Sequence, residues 1–323
     1  MTEIHKLKNI LNHFYPIVVR NITIMEPGWA ALAYKVYTDD GNLFFLKVYD
    51  KNRRSIAYIL DSVPTYLFFI DWLNSDALLK GKISKLTHTH DGDIKIEDEN
   101  YIYILMEYIE GHTVGERQLT GKQIKELADI VARLHTTPPP VSIHTESITE
   151  KFQLLFLNTL KEWLTSELGT LKPGIQDVLM PFRISLIRQI DELEARKTEL
   201  SEGNFSFVLC HTDIHNWNII ADENNIHLID WEGIKYAPAE ADIFGFYQEA
   251  YFLEFMKCYQ DLRPSYEINM ELLRYYMMSR HMTDLWEGIE QLQFDQLCSE
   301  EYISQLKGLK VVCEENEAFV KLF

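Results

Sequence analysis

The chain is short of cations and of cysteine. Its 323 residues carry 31 Lys and Arg against 49 Asp and Glu, a net charge of −18. That balance argues against nucleic-acid or anionic-membrane binding, which need basic patches. It leans toward cationic partners drawn in by electrostatic steering. The four cysteines, Cys210, Cys258, Cys298 and Cys313, are scattered and form no Cys-x-x-Cys. Neither a disulfide framework nor a zinc site is expected, and a reducing cytoplasm is the expected setting. No basic stretch with a long apolar core opens the chain, so a signal peptide is not expected. The apolar run Tyr66 to Ile70 is far too short to span a bilayer. Glycine is scarce where a phosphate-cradling loop would use it, since Glu26-Pro27-Gly28-Trp29 holds only one. Glutamate is missing altogether between Tyr49 and Ile96.

What remains is an ordinary globular composition, 46% hydrophobic and 25% charged, in a length that suits one to two domains. The informative stretch is residues 208–232. It sets Asp213, Asn218 and Asp230 in the order D-x4-N-x11-D. Asp213 follows the apolar run Phe207 to Cys210. Asn218 opens a second run, Asp222-Glu223-Asn224-Asn225 makes a polar turn, and Ile226 to Ile229 delivers Asp230. Two short β-rich runs around turn residues predict a hairpin that brings Asn218 and Asp230 together, with Asp213 on the adjoining loop.

These residue types suit phosphoryl transfer from a nucleotide, which needs positioning and positive charge beside the phosphates more than covalent help. Mg²⁺ supplies such charge and prefers hard oxygens, usually one or two carboxylates plus phosphate oxygens. Asp230 and the amide oxygen of Asn218 are the expected metal ligands. Asp213 is the expected catalytic residue, accepting a hydrogen bond from the substrate hydroxyl and its proton late. With an ordinary pKa of about 3.9 it is a weak base at neutral pH, so orientation is its larger contribution.

The segment His211-Thr212-Asp213-Ile214-His215-Asn216-Trp217-Asn218 resembles the H-G-D-x-H-x-x-N loop of the aminoglycoside phosphotransferases. Asp230-Trp231-Glu232 is similar to their D-W-E/D, and Pro238-Ala239-Glu240-Ala241-Asp242-Ile243 to their P-x-E-x-D-L. The likeness is greatest to the spectinomycin-modifying members. It implies an α+β, protein-kinase-like bilobed fold. A small antiparallel-sheet lobe (1–108) would bind nucleotide, and a larger, mainly helical lobe (109–323) would hold the base and the acceptor. It further implies ATP or GTP as donor and a small hydroxylated acceptor. Thr212 stands where glycine is more common, and Trp217 where a small residue is.

Lys47, flanked by large apolar residues in the run Leu43 to Tyr49, needs a partner or an open strand face. The resemblance matches it to the lysine that contacts the α- and β-phosphates. The usual partner, a helical glutamate shortly downstream, is missing. In the expected helix Pro64 to Leu73, Tyr66 takes its register, and Asp61 or Asp71 is a possible substitute. Glu107 to Gly111 resembles the interlobe hinge, with the main chain of Glu107 and Ile109 meeting the adenine edge. Acidic and aromatic residues, Trp217, Glu232, Tyr247, Glu249 and Tyr251, are candidates for the acceptor side, where carboxylates pair with ammonium groups and ring faces add cation–π attraction. His88 and His90 alternate on an expected strand and, with no third ligand, read as exposed. The leading reading is a cytoplasmic small-molecule kinase, monomer or homodimer, with an aminoglycoside or aminocyclitol acceptor and a role in antibiotic resistance. A housekeeping kinase for choline, homoserine or a sugar remains open, as does a nucleotide-binding pseudokinase with an interaction role.

Overall fold

A computed structural model describes the chain except residues 1–2, 27, 76–78, 140–144, 223–224 and 323. Pro27 of the turn at 26–29 and Glu223-Asn224 of the hairpin turn therefore lie outside the described residues. Helix α1 (Glu3–Phe14) leads into an antiparallel sheet of β1 (Val19–Ile24), β2 (Leu32–Thr38), β3 (Leu43–Asp50), β4 (Ile96–Glu97) and β5 (Tyr101–Glu107), ordered β1-β2-β3-β5-β4. Helix α2 (Ala57–Ser75) crosses between β3 and β4. Side chains alternate across β3 with period two. Phe44, Leu46 and Val48 pack with Leu7 and Leu11 of α1 in one core. Phe45 and Tyr49 face the other way, toward the core that holds α2. Lys47 shares the parity of Phe45 and Tyr49, in a strand paired on both sides. The β2–β3 turn closes through Gly41 at φ +86°, a left-handed position that glycine fills without strain.

After β5 the chain forms β6 (His112–Thr113) and α3 (Gly121–Thr136), which starts on a capping box between Thr120 and Gln123. Helices α4 (Leu157–Thr165), α5 (Pro173–Leu179) and α6 (Arg183–Glu202) follow, then β7 (Phe207–Cys210), β8 (Ile219–Ala221), β9 (Ile226–Leu228) and β10 (Lys235–Pro238). Helices α7 (Glu240–Ile243), α8 (Phe252–Leu262), α9 (Met270–Phe294) and α10 (Ser299–Leu322) complete the chain. Two small sheets, β10-β7 and β6-β8-β9, carry the loops of interest. The larger apolar core runs from α2 through α3 to α9.

Several expectations shift. Residues 83–90 form no second full strand. They run extended, bridging Ile83 to Leu228 and Leu86 to Met106, so the two histidines lie off the sheet. His88 Nε2 sits 3.3 Å from Asp71 Oδ1. Residues 149–200, whose pattern predicts two amphipathic helices broken near Lys172-Pro173-Gly174, do break there, with Pro173 starting α5, but they hold three helices because a 3₁₀ turn at Met180–Phe182 divides α5 from α6. Phe244 to Leu253, whose apolar pattern predicts a helix, is not one helix, for a 3₁₀ turn ends at Phe246 and α8 begins at Phe252. Residues 54–75 are long and apolar enough to cross a membrane, longer than Tyr66 to Ile70 suggests. Here Tyr66, Leu67, Phe69, Ile70 and Leu73 of that helix are buried in the core.

Candidate active site

Strand β7 ends at Cys210, and the loop that follows is pinned from below by one buried carboxylate. Asp242, fully buried on α7, accepts from the backbone N–H of His211 at 3.1 Å and of Thr212 at 2.6 Å. Its Oδ2 also accepts from His135 Nε2 at 2.9 Å. Cys210 stands beside this pair, and one ligand-type atom from each of the three lies within 4.8 Å of the others. Both Asp242 oxygens already accept hydrogen bonds, so the trio supports the loop. His211 Nδ1 accepts from the Asp213 N–H at 3.2 Å. The proton is therefore on Nε2, which donates to Ile229 O at 2.9 Å and ties the loop to the strand before Asp230. Thr212 has φ +69°, the left-handed region that explains glycine at this position in the resembling loop. Its hydroxyl donates to Gly233 O at 2.7 Å, and a Cβ on Gly233 would strike that hydroxyl.

The predicted hairpin forms, with Ile219 opposite Leu228 and the Ile229 N–H donating to Asn218 O. Asn218 and Asp230 thus leave the same end of one ladder. Asn218 Nδ2 donates at 2.9 Å to both the backbone oxygen and Oδ2 of Asp213. Asp230 Oδ1 accepts from Lys47 Nζ at 2.9 Å. Lys47 of β3 thus meets Asp230, and Asn218 meets Asp213, at one end of the same hairpin.

Lys47 has a second partner. Glu232 Oε1 accepts from Lys47 Nζ and, at 2.6 Å, from the Tyr49 hydroxyl, whose oxygen lies 3.0 Å from that of Tyr66. Burial alone would push the Lys47 ammonium down, but Asp230 and Glu232 outweigh it and hold the pKa well above the ordinary lysine value. Glu232, expected on the acceptor side, therefore stands on the lysine side, because Tyr49 and Lys47 project from the same strand face. Asp71, a possible substitute partner, is engaged by His88 instead.

Asp213 has a guard from far along the chain. Arg280 of α9 donates through Nη1 to Asp213 Oδ1, and through Nε at 2.7 Å to Asp284. His215 Nε2 lies 3.5 Å from the same aspartate oxygen. Burial would raise the Asp213 pKa, yet Arg280 and His215 reverse that and hold it below the usual carboxylate range. Two turns along α9 from Arg280, Glu287 accepts from the Tyr58 hydroxyl of α2, and burial pushes its pKa up to about 7. Sequence reasoning missed Arg280, Asp284, Glu287 and Tyr58. The available cue was the one used for Lys47, a cation set among Met277, Met278 and Met282.

The other candidates separate. Tyr251 is 5% exposed, and its hydroxyl donates to Asn216 Oδ1 at 2.8 Å, while Asn216 Nδ2 donates to Glu249 Oε1 at 3.1 Å. Both brace the loop from behind, so Tyr251 offers no open ring face. Tyr247 meets Phe252 edge-on at 5.2 Å. Trp217 is 60% exposed beside Gly115. At the hinge, the Glu107 N–H donates to Lys85 O and the Tyr108 N–H to Leu43 O. The Glu107 side chain pairs with Lys85 in solvent.

Compared with known proteins, residues 21–275 match the sequence model of the APH group, described as the phosphotransferase enzyme family. No curated protein sequence matches the chain. Among solved structures, spectinomycin phosphotransferase APH(9)-Ia, in complex with ADP and spectinomycin, is similar with a TM-score of 0.72 at 18% identity over 98% of each chain. Amicoumacin kinase hAmiN, in complex with AMP-PNP, Ca²⁺ and Ami, gives 0.62 at 19% identity over 98% of this chain and 94% of that one. The gentamicin complex of APH(2")-IIa gives 0.62 at 12% over 98% and 96%. At these identities the likeness is one of fold, a kinase-like pairing of an antiparallel-sheet lobe with a mainly helical one.

Proposed function

The chain belongs to the phosphotransferase enzyme family, and from that premise we propose that it moves the γ-phosphate of ATP or GTP to a hydroxyl of a small, amine-bearing acceptor such as an aminoglycoside or aminocyclitol. The observation that supports this reading most is the pair of contacts Asn218–Asp213 and Lys47–Asp230, the second of which ties β3 to the hairpin end that also carries Asn218. The nucleotide would lie between the lobes 1–108 and 109–323, its adenine edge on the main chain of Glu107 and Ile109. Lys47 would hold the α- and β-phosphates.

The residues fit Mg²⁺. Asn218 commits its amide nitrogen to Asp213, which turns its carbonyl oxygen to other use, and Asp230 adds a carboxylate. These are hard oxygen ligands of the kind the ion prefers. Mg²⁺ when bound would neutralise charge on the phosphates. The protein's own part is positioning. Asn218 fixes the Asp213 carboxylate, and that carboxylate accepts a hydrogen bond from the acceptor hydroxyl and aligns its lone pair on the phosphorus. Held ionised, Asp213 is a weak base that takes the proton late. An excess of acidic groups favours an acceptor with ammonium groups. Trp217, largely exposed, offers a ring face for such an acceptor. Antibiotic resistance in the cytoplasm, as monomer or homodimer, is the role that suits this chemistry, and a housekeeping kinase for choline, homoserine or a sugar is the competing one. The pseudokinase reading loses its main support, since Lys47 has carboxylate partners without a helical glutamate.

Thermal shifts with MgATP and MgGTP, on the native protein and on Asp230→Ala, test the nucleotide site. Turnover across aminoglycosides, aminocyclitols, choline and homoserine tests the acceptor. A native protein that binds neither nucleotide would overturn the assignment.

A further inference from the structure

Resting on that phosphotransferase reading, we propose that Tyr66 and Tyr49 form a positioning pair that holds Glu232 on Lys47, replacing the helical glutamate absent from residues 50–95. The direction of the relay follows from counting protons. A tyrosine hydroxyl has one proton to donate. Tyr49 commits its proton to Glu232 Oε1 at 2.6 Å, so across the 3.0 Å contact the Tyr66 hydroxyl donates and the Tyr49 oxygen accepts. The chain Tyr66, Tyr49, Glu232, Lys47 then has every donor aimed at the lysine's counter-ion. Both rings are fixed by burial, Tyr49 at 0% and Tyr66 at 3% exposure, so the relay starts from a rigid point on α2. Burial keeps both phenols protonated, their pKa values driven well above the ordinary tyrosine value.

Glu232 needs these donors. An ionised carboxylate withdrawn from water is costly unless charge and hydrogen bonds compensate it. Lys47 alone satisfies part of that demand, and Tyr49 satisfies more. Asp230 is the less suited of the two acids to hold Lys47 permanently. Its side chain is 45% exposed against 15% for Glu232, and it follows Ile229, whose N–H pairs with Asn218 O, at the ladder end where a cation is expected. When Asp230 turns to that task, Glu232 keeps the ammonium in place, provided the tyrosines keep Glu232 in place.

The test uses the full chain with MgATP and MgGTP as probes, reading the dissociation constant by titration and the slow hydrolysis rate beside it. Tyr49→Phe should weaken nucleotide binding roughly tenfold, the size expected for loss of one charge-assisted hydrogen bond. Tyr66→Phe should weaken it by roughly two- to threefold, since Tyr49 still reaches Glu232. Glu232→Ala should lose most. Adding Tyr66→Glu to it returns a carboxylate to the helix, and should recover at least about fivefold of that loss. A purely structural role would lower the melting temperature of the tyrosine variants without moving the dissociation constant. If the native protein binds nucleotide and both phenylalanine variants bind it equally well, the positioning pair is refuted while the phosphotransferase reading stands. If the native protein binds neither nucleotide, both fall. Should the double variant fail to fold, Tyr49→Phe, which removes a single oxygen, decides alone.

Discussion

The two halves of the cleft solve one electrostatic problem with opposite signs. On the lysine side a buried cation is held by two carboxylates, Asp230 and Glu232. On the base side a carboxylate is held by a cation, Arg280, with His215 nearby. In each, burial disfavours the charged form and the partner more than restores it. The difference is where the partner comes from. The acids of Lys47 sit two residues apart at the end of one hairpin, whereas the cation of Asp213 arrives on α9, 67 residues downstream. The lysine side is thus complete once the hairpin meets β3. The base side is complete only when the last helices dock. Both charges are stored as internal pairs, which on the proposed reading nucleotide and acceptor would have to share.

The largest effect that separates the halves is loss of the base. Asp213→Asn should lower kcat roughly a thousandfold with whichever acceptor is turned over, within the span typical of general-base residues. Nucleotide affinity should stay within about twofold, because the lysine side is untouched. Steady-state kinetics paired with nucleotide titration measure both. A parallel fall in nucleotide affinity would break the division into two independent halves.

Arg280→Ala is next. Asp213 is held low by Arg280, so removing the guanidinium raises its pKa toward the ordinary range. A depressed carboxyl contributes stability that is present above its unfolded pKa and lost as pH falls through the folded one. Activity and stability of the native protein should therefore persist into acid, and the variant should lose both at higher pH. The acid limb of the pH–rate profile should move up by roughly one unit. An unmoved limb would mean that Arg280 does not set the charge of the base.

The same contrast explains what was legible in sequence. Asp213, Asn218, Asp230 and their hairpin are local, written within 18 residues whose turn and strand chemistry decide the geometry. Lys47 was readable because a charge in an apolar strand demands a reason. Its true partners were not, since Glu232 lies in the motif but its direction depends on Tyr49 across the cleft. Arg280 was invisible for a stronger reason, as no local pattern says which face of a 25-residue helix, buried along much of its length, meets the base. At Glu249 and Tyr251, acidic and aromatic residues that brace a loop look, in sequence, like those lining a pocket. Tyr251 and Glu249 spend their polar atoms on Asn216. The helix expected over 244–253 failed at Gly245, whose added Cβ would strike Ile214 O, so the segment is shaped by that close approach and not by apolar periodicity.

Glu287 sharpens the comparison from the α9 side. Burial pushes its carboxyl up to about 7, above the ordinary 4.5, despite Arg280 and the Tyr58 hydroxyl pulling it down. A raised acid contributes stability that is full below its unfolded pKa and lost as pH rises through the folded one. Between pH 5 and pH 8 the native protein should lose roughly 2 kcal/mol more than Glu287→Gln, which stays neutral throughout. Chemical denaturation at the two pH values checks this. Equal losses would show that Glu287 is ionised already, and that the base side carries one more negative charge than its pairing suggests.

The smallest effect concerns the loop that carries the base. Thr212 holds φ +69° on the base side, as Asp230 holds φ +63° on the lysine side. Thr212→Gly relieves a left-handed strain of roughly 1–2 kcal/mol. It also gives up the hydrogen bond to Gly233 O, about 1 kcal/mol, and loosens the unfolded chain by roughly another 0.4–1 kcal/mol. The sum is close to zero, so stability should change by less than about 1 kcal/mol in either direction. Activity should hold as well, because Asp242 pins the loop through backbone N–H groups that the substitution keeps. A marked loss of kcat with unchanged stability would show that the threonine side chain, and not the Asp242 anchor alone, sets where Asp213 points.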